Sequence, residues 1–213
     1  MSITVDKIDD GLPISIIVPL TEKRRNFFEN MVLPLLEANN PNEIIINSSH
    51  GAAPKKRNDG FKKSTQPYVF FCDDDILLPA NYLQRLYGTI LNQKPEIGYV
   101  YTGYRGIVMN PQTHPFRGNF IIKSNTFNGE QLKRGNYIST MSLMKRDVFP
   151  FFDEKLTRFQ DWDVYLTLLE RGIIGAFISD LLFYAYYLDD GITSNLSDGH
   201  EKTMIIKRKH GII

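Results

Sequence analysis

The chain has 213 residues, 42% of them hydrophobic and 23% charged, with 14 Phe and 11 Tyr, enough apolar mass for one large or two small domains. A net charge of +1 argues against a general nucleic-acid or membrane-surface binder. The single cysteine, Cys72, excludes an internal disulfide and fits a reducing compartment, hence a cytoplasmic location.

The first thirteen residues, MSITVDKIDDGLP, carry no apolar core of a signal peptide. ISIIVPL (Ile14 to Leu20) is a continuous β-branched run, the pattern of a strand buried on both faces. Helical spacing follows in Phe27, Phe28, Met31, Val32, Leu35 and Leu36, with Pro34 expected to kink it. NEIIINSS reads as a second buried strand, KKRNDGFKKST as a polar segment compatible with a short helix, and PYVFFCD as a third strand. PANYLQRLYGTILNQ reads as a helix with Pro79 near its first turn, and IGYVYTGYRGIV as a fourth strand.

This alternation implies an α/β fold: one Rossmann-like, mostly parallel sheet flanked by helices. The second half is less regular. Residues 110–139 are rich in Gly, Asn and Pro and read as loops with one hairpin. TMSLMKRDVFPFF suggests a strand and a short helix, and DWDVYLTLLERG an amphipathic helix stopped at Gly172. IIGAFISDLLFYAYYL gives one or two strands. With Asp180 inside it, the stretch from Gly172 to Leu188 is too short and interrupted to span a membrane. EKTMIIKRKHGII closes the chain as a helix.

In an open parallel sheet, ligands bind beyond the carboxyl ends of the strands. The first three strands end in Pro19-Leu20-Thr21, Asn47-Ser48-Ser49 and Asp73-Asp74-Asp75, so all three segments point at one crevice. Lys55, Lys56, Arg57, Lys62 and Lys63 lie between the second and third, near the same edge. Three adjacent carboxylates beside a buried strand repel one another. A hard divalent cation on one or two of them would relieve that, and Asp-x-Asp is the donor set of a metal–nucleotide–sugar site. The plainer alternative is that the acids are solvated, one of them capping the helix near Pro79. Asp161 and Asp163 flank the only Trp at a helix start. They are N-terminal acids of that helix, or one is a general base whose pKa is raised beside the aromatic ring.

Taken in order, the strand ending in Pro, EIIINSS, Arg-Asn-x-Gly in KRNDG, FFCDDDILLP, MSLMKRDVFPFFDEKL and DWDVYLTLLERG resemble the GT-A glycosyltransferases of family 2 over about residues 13–195. The resemblance implies a single GT-A domain over 1–213, with a nucleotide-binding half at 13–103, an acceptor half at 104–195 and a tail at 196–213. It implies that Pro19, Leu20 and Thr21 line the nucleotide pocket and that Ser48 or Ser49 stands where an acid often contacts uracil. Arg57 would contact nucleotide or diphosphate and Asp73 the ribose, with Asp74 in the variable middle position. Asp75 would hold Mn2+ (or Mg2+), and Asp189 would stand where a further metal ligand, often His, lies. Asp161 would be the catalytic base. The implied reaction is inverting transfer of a hexose or deoxyhexose from a UDP-sugar to a hydroxyl of a glycan or glycoconjugate acceptor, shaped by the region from Tyr104 to Asn136. No nucleic acid and no membrane span are expected, and further domains of a longer protein are compatible.

Three other functions share some of these features. A sugar-phosphate nucleotidylyltransferase would open with a glycine-rich loop where this chain reads PLTEKRRN. A non-catalytic nucleotide-sugar or carbohydrate-binding module would be expected to lose the metal acids or the base. A nucleic-acid binder would need more than the short cluster Lys55–Lys63, in which Phe61 is the only aromatic.

Overall fold

The computed structural model describes residues 3–7, 10–112, 114–188 and 199–213. Its elements begin with β1 (Ile3–Lys7), β2 (Leu12–Pro19) and a helical segment made of a 3-10 turn (Glu22–Arg24), α1 (Arg25–Phe27), a π-turn (Phe28–Val32) and α2 (Leu33–Ala38). Then come β3 (Pro41–Asn47), α3 (Ala53–Lys63), β4 (Tyr68–Phe71), β5 (Ile76–Leu77), α4 (Tyr82–Leu91) and β6 (Ile97–Val108). The second half holds β7 (Phe120–Ile122), α5 (Gly129–Arg134), β8 (Leu143–Lys145), α6 (Gln160–Glu170), β9 (Ile174–Tyr187) and α7 (Gly199–Lys209).

The strands join in one sheet in the order β1-β3-β2-β4-β8-β6-β9-β5, with β7 on β6. β2 runs parallel to β3 and β4, and β6 parallel to β9, as the alternating pattern predicts. The sheet is nevertheless mixed. Short β8 is antiparallel to both β4 and β6 and joins the two parallel blocks, while β1, β5 and β7 pair antiparallel at the margins. These strands are only two to five residues long, too short for the periodicity that signals a strand.

Alternation along β2 sends Ile14, Ile16 and Val18 into one apolar layer with Phe28, Leu36, Leu83 and Leu86, and Ile17 into another with Phe61, Phe71, Tyr99 and Trp162. Pro34 acts as expected. Lacking an N–H, it cannot continue a helix from the preceding turn, so the chain widens into a π-turn and α2 restarts with Pro34 in its first turn. β9 (Ile174–Tyr187) is one long strand, and its pairing with β6 jumps from Thr102↔Ile178 to Gly103↔Leu182. That bulge re-aims the second half of β9 toward the carboxyl ends of β2 and β4. As the sequence suggests, the chain ends in a helix: α7 lies on α6 with Ile206 fully buried.

The Arg-Asn-Asp-Gly of α3 has a structural reason at each buried position. Asn58 donates to the Phe152 carbonyl (2.9 Å) and accepts from the Phe152 N–H (2.9 Å), tying α3 to the loop before α6. Gly60 lets the helix lie directly on β2, since a Cβ there would stand 2.6 Å from Ile17 Cγ2. Gly60→Ala should therefore destabilise the fold by about 1–3 kcal/mol despite its better helix propensity, seen as a lower urea midpoint. A midpoint at or above the parent's would show that α3 can lift off β2 at no cost.

Candidate active site

The site forms where β4 ends. The loop Asp73–Asp75 is pinned from three sides. Cys72 N–H donates to Ile17 O (3.0 Å), Ile76 N–H closes a turn on Asp73 O (3.3 Å), and Tyr186 N–H from β9 donates to Asp75 O (2.9 Å). Backbone pairing thus fixes where the three carboxylates stand.

Two arginines balance them. Arg57 of α3 donates through Nη2 to Asp73 Oδ1 and through Nη1 to Gln160 Oε1 (2.9 Å), with its guanidinium 5.3 Å from the Phe152 ring centre. Arg24, from the turn after β2, donates through Nη1 to Asp74 Oδ1 (2.9 Å) and to Asp75 Oδ2 (2.7 Å). Asp74 is buried and also accepts the Thr21 N–H (2.7 Å), so it fastens the β2 turn to the β4 turn. Burial, then repulsion from Asp73, pushes Asp75 up to about 8 against the pull of Arg24. None of the three acids caps α4: the residue before that helix is Asn81, in the left-handed region (φ 59°).

Across the cavity, the first turn of α6 sends four consecutive side chains to four places. Gln160 meets Arg57. Asp161 faces the cavity. Trp162 is buried and donates its indole N–H to Leu132 O at the end of α5 (2.7 Å). Asp163 turns to α7, where it meets Lys209 Nζ (2.9 Å) and His210 Nε2 (2.9 Å). The hundred-degree step of the helix makes this separation, so two acids two residues apart serve different neighbourhoods. Burial raises Asp161 to about 6, partly opposed by the Trp162 N–H at 2.9 Å and by Arg57. The apolar backing comes from Phe71, Met144, Phe149, Phe152 and Val164.

The cavity between these walls measures about 410 Å³. Of the residues singled out in the sequence, Pro19, Thr21, Arg57, Asp73, Asp74, Asp75 and Asp161 line it. Leu20 does not: its side chain is fully buried in the apolar core, and its carbonyl accepts from Lys56 Nζ (2.7 Å). Ser48 and Ser49 do not reach it either. Ser48 is buried, and Ser49 N–H folds back onto Asn47 Oδ1 (3.0 Å). Asp189 lies outside the described residues. The basic segment splits by helix face, with Arg57 inside while Lys55 pairs with Asp59 (2.5 Å) and Lys62 and Lys63 are exposed. The far wall is Tyr104, Ser139–Met141, Phe183 and Ala185–Leu188, not the loops from 109 to 136. Arg24 is the site residue that sequence reasoning passed over. It sits in a run of charge, EKRR, where nothing marks one arginine as inward-facing.

Asp73 and Asp75 put hard carboxylate oxygens on the cavity wall, a donor set suited to Mg2+ or Mn2+ completed by substrate phosphates and water. Among the described residues, no group of three or more His, Cys, Asp or Glu is arranged to hold a metal by itself.

Residues 25–151 match the family described as glycosyl transferase family 2, a segment that contains Arg57 and Asp73–Asp75. The chain belongs to this family and has the GT-A fold. Solved structures of S. aureus TarS are similar in fold. TarS 1-349 in complex with UDP-GlcNAc has 16% identity and a TM-score of 0.62, over 91% of this chain and 65% of that one. TarS 1-349 in complex with UDP has 15% identity and a TM-score of 0.60, over 92% and 64%. A longer TarS structure has 15% identity and a TM-score of 0.60, over 91% of this chain and 38% of that one. The chain thus spans less than two thirds of the length of each. No curated protein sequence matches it. Among the described residues no helix is long and apolar enough to cross a membrane.

The α7 contact has its own pH signature. His210 also meets Glu170 Oε1 through Nδ1 (2.6 Å). Burial lowers its affinity for a proton, but the hydrogen bonds to Asp163 and Glu170 outweigh this and raise the pKa above the ordinary imidazole value. Its stabilising effect is complete below about pH 6.5 and is lost as pH rises through the shifted value. Asp163→Asn should cost about 2 kcal/mol at pH 6 and less at pH 9 in urea unfolding, while transfer activity survives. An equal loss at both pH values would mean that His210 does not carry the effect.

Proposed function

We propose that the chain transfers a sugar, a hexose or deoxyhexose, from a UDP-sugar to a hydroxyl of a growing glycan or glycoconjugate, inverting the anomeric configuration with the help of Mn2+ or Mg2+. The observation that carries this reading is the pairing of walls: a carboxylate raised to about 6 faces the cavity opposite the arginine-balanced Asp73–Asp75 loop. The TarS complexes with UDP and UDP-GlcNAc support a uridine nucleotide donor.

In this mechanism the nucleotide lies along the carboxyl ends of β2, β3 and β4, with Pro19 and Thr21 on its pocket and Asp73 toward the ribose. Arg57 forks toward the diphosphate, as a guanidinium does for paired phosphate oxygens. Asp75 would hold the divalent cation, Asp189 being a further candidate ligand, and the ion would supply neutralisation of the departing diphosphate. Asp161 takes the proton from the acceptor hydroxyl. That oxygen forms the new bond to the anomeric carbon as the bond from that carbon to the diphosphate breaks, and its electron pair leaves with UDP. Tyr104, Tyr186 and Tyr187 line the side left for the acceptor.

The order of segments also resembles the N-terminal glycosyltransferase domain of a large algal (chlorella) virus protein that builds capsid glycans. That resemblance favours a glycan acceptor, the host cytoplasm as location, and a single GT-A domain within a longer chain.

Two variants test the assignment of roles. Asp161→Asn should keep donor affinity by calorimetry while transfer falls by about two to four orders of magnitude. Asp75→Asn should lose donor binding as well. Because burial raises Asp161, its ionised form costs stability once pH exceeds the ordinary carboxylate range, so Asp161→Asn should melt no lower than the parent at pH 8. Parent transfer should rise as pH climbs through about 6. If Asp161→Asn transfers at the parent rate, the base is elsewhere, and if the parent binds UDP-sugars but never transfers, the chain is a binding module.

A further inference from the structure

The cation at the Asp75 carboxylate in this structure is a side chain. Arg24 Nη1 lies 2.7 Å from Asp75 Oδ2 and 2.9 Å from Asp74 Oδ1, and Arg24 shares the cavity wall with Thr21, Asp73 and Arg57. Arg57 likewise stands on Asp73, so each acid of the loop already faces a guanidinium. A divalent ion arriving alone would meet two neighbouring guanidinium cations, one already on an oxygen it needs. A diphosphate brings two or more negative charges and offers Arg24 another partner.

We infer that Arg24 is an internal counterion that occupies the metal-side oxygen of Asp75 in the donor-free enzyme and passes to the diphosphate when cation and nucleotide bind together. It is a positioning residue: it makes cation and nucleotide bind as a pair and disfavours either alone. This rests on the metal-assisted reading of the site. Asp74 keeps its second anchor, the Thr21 N–H, so the β2 turn need not unfold when Arg24 moves.

The test is Mn2+ binding to the parent, Arg24→Gln and Arg24→Lys, read by the electron paramagnetic resonance signal of free Mn2+, with and without UDP. Without UDP, Arg24→Gln should bind Mn2+ about tenfold more tightly than the parent. The factor by which UDP and Mn2+ strengthen each other's binding, which is the same in both directions, should fall in Arg24→Gln by a similar amount. Arg24→Lys, which keeps a cation, should restore the parent's behaviour in both measurements. A second readout needs no substitution: the Arg24 guanidinium NMR signals of the parent should shift when UDP and Mg2+ are added together.

Mn2+ binding to Arg24→Gln that is equal to or weaker than the parent's would overturn the inference, making Arg24 a mere prop for the carboxylates. So would an unchanged coupling factor, or guanidinium signals that stay put. If the parent takes up no Mn2+ even with UDP present, the metal-assisted reading itself fails, and this inference with it. That result is distinct from a parent that binds the pair while Arg24→Gln behaves identically.

Discussion

Three consecutive carboxylates at the end of a fully buried strand are the constraint around which this molecule is arranged. Taking such charges out of water costs several kcal/mol each unless they find partners. Here the partners are side chains from other segments: Arg24 from the turn after β2 and Arg57 from α3. Burial, and after it repulsion from Asp73, still pushes Asp75 up to about 8.

The same ion pairs connect the halves of the protein. Arg57 touches both the Asp73 loop and Gln160, the residue before Asp161. The distance between the donor wall and the proposed base is therefore set by one guanidinium and by the packing of α3 on β2 through Gly60. Behind α6, Asp163 is held by Lys209 and His210 of the last helical segment. The start of α6 is thus braced on both sides, from the donor wall and from α7. Rigid support of this kind keeps a general base within reach of the proton it must take.

Much of this was legible in the sequence because it depends on local pattern. Continuous apolar runs marked β2, β3 and β4, and the strand-end rule gathered Thr21, Arg57 and Asp73–Asp75 at one crevice. What was not legible depends on orientation. A strand-end segment predicts proximity to the crevice but not which side chains turn inward: Leu20 goes to the core, and the Ser48–Ser49 turn folds onto Asn47. Arg24 looks like its neighbours Lys23 and Arg25, and only the tertiary approach of Asp74 and Asp75 singles it out. Asp163 reads as a helix-start acid until α7, some forty residues later, supplies Lys209 and His210. Of the short antiparallel strands, β8 was read from TMSLMKRDVFPFF, while β1 and β5 are too brief to show a period.

On the proposed mechanism, nucleotide diphosphate and cation meet at the arginine-balanced loop Asp73–Asp75. A crystal structure grown with UDP and Mn2+ addresses it most directly, because manganese can be located by its anomalous scattering. A manganese peak is expected at the Asp75 carboxylate, next to the UDP diphosphate, with Arg57 within hydrogen-bond reach of the nucleotide. UDP bound away from the Asp73–Asp75 loop, or manganese lodged elsewhere with these carboxylates still held only by Arg24 and Arg57, would contradict it.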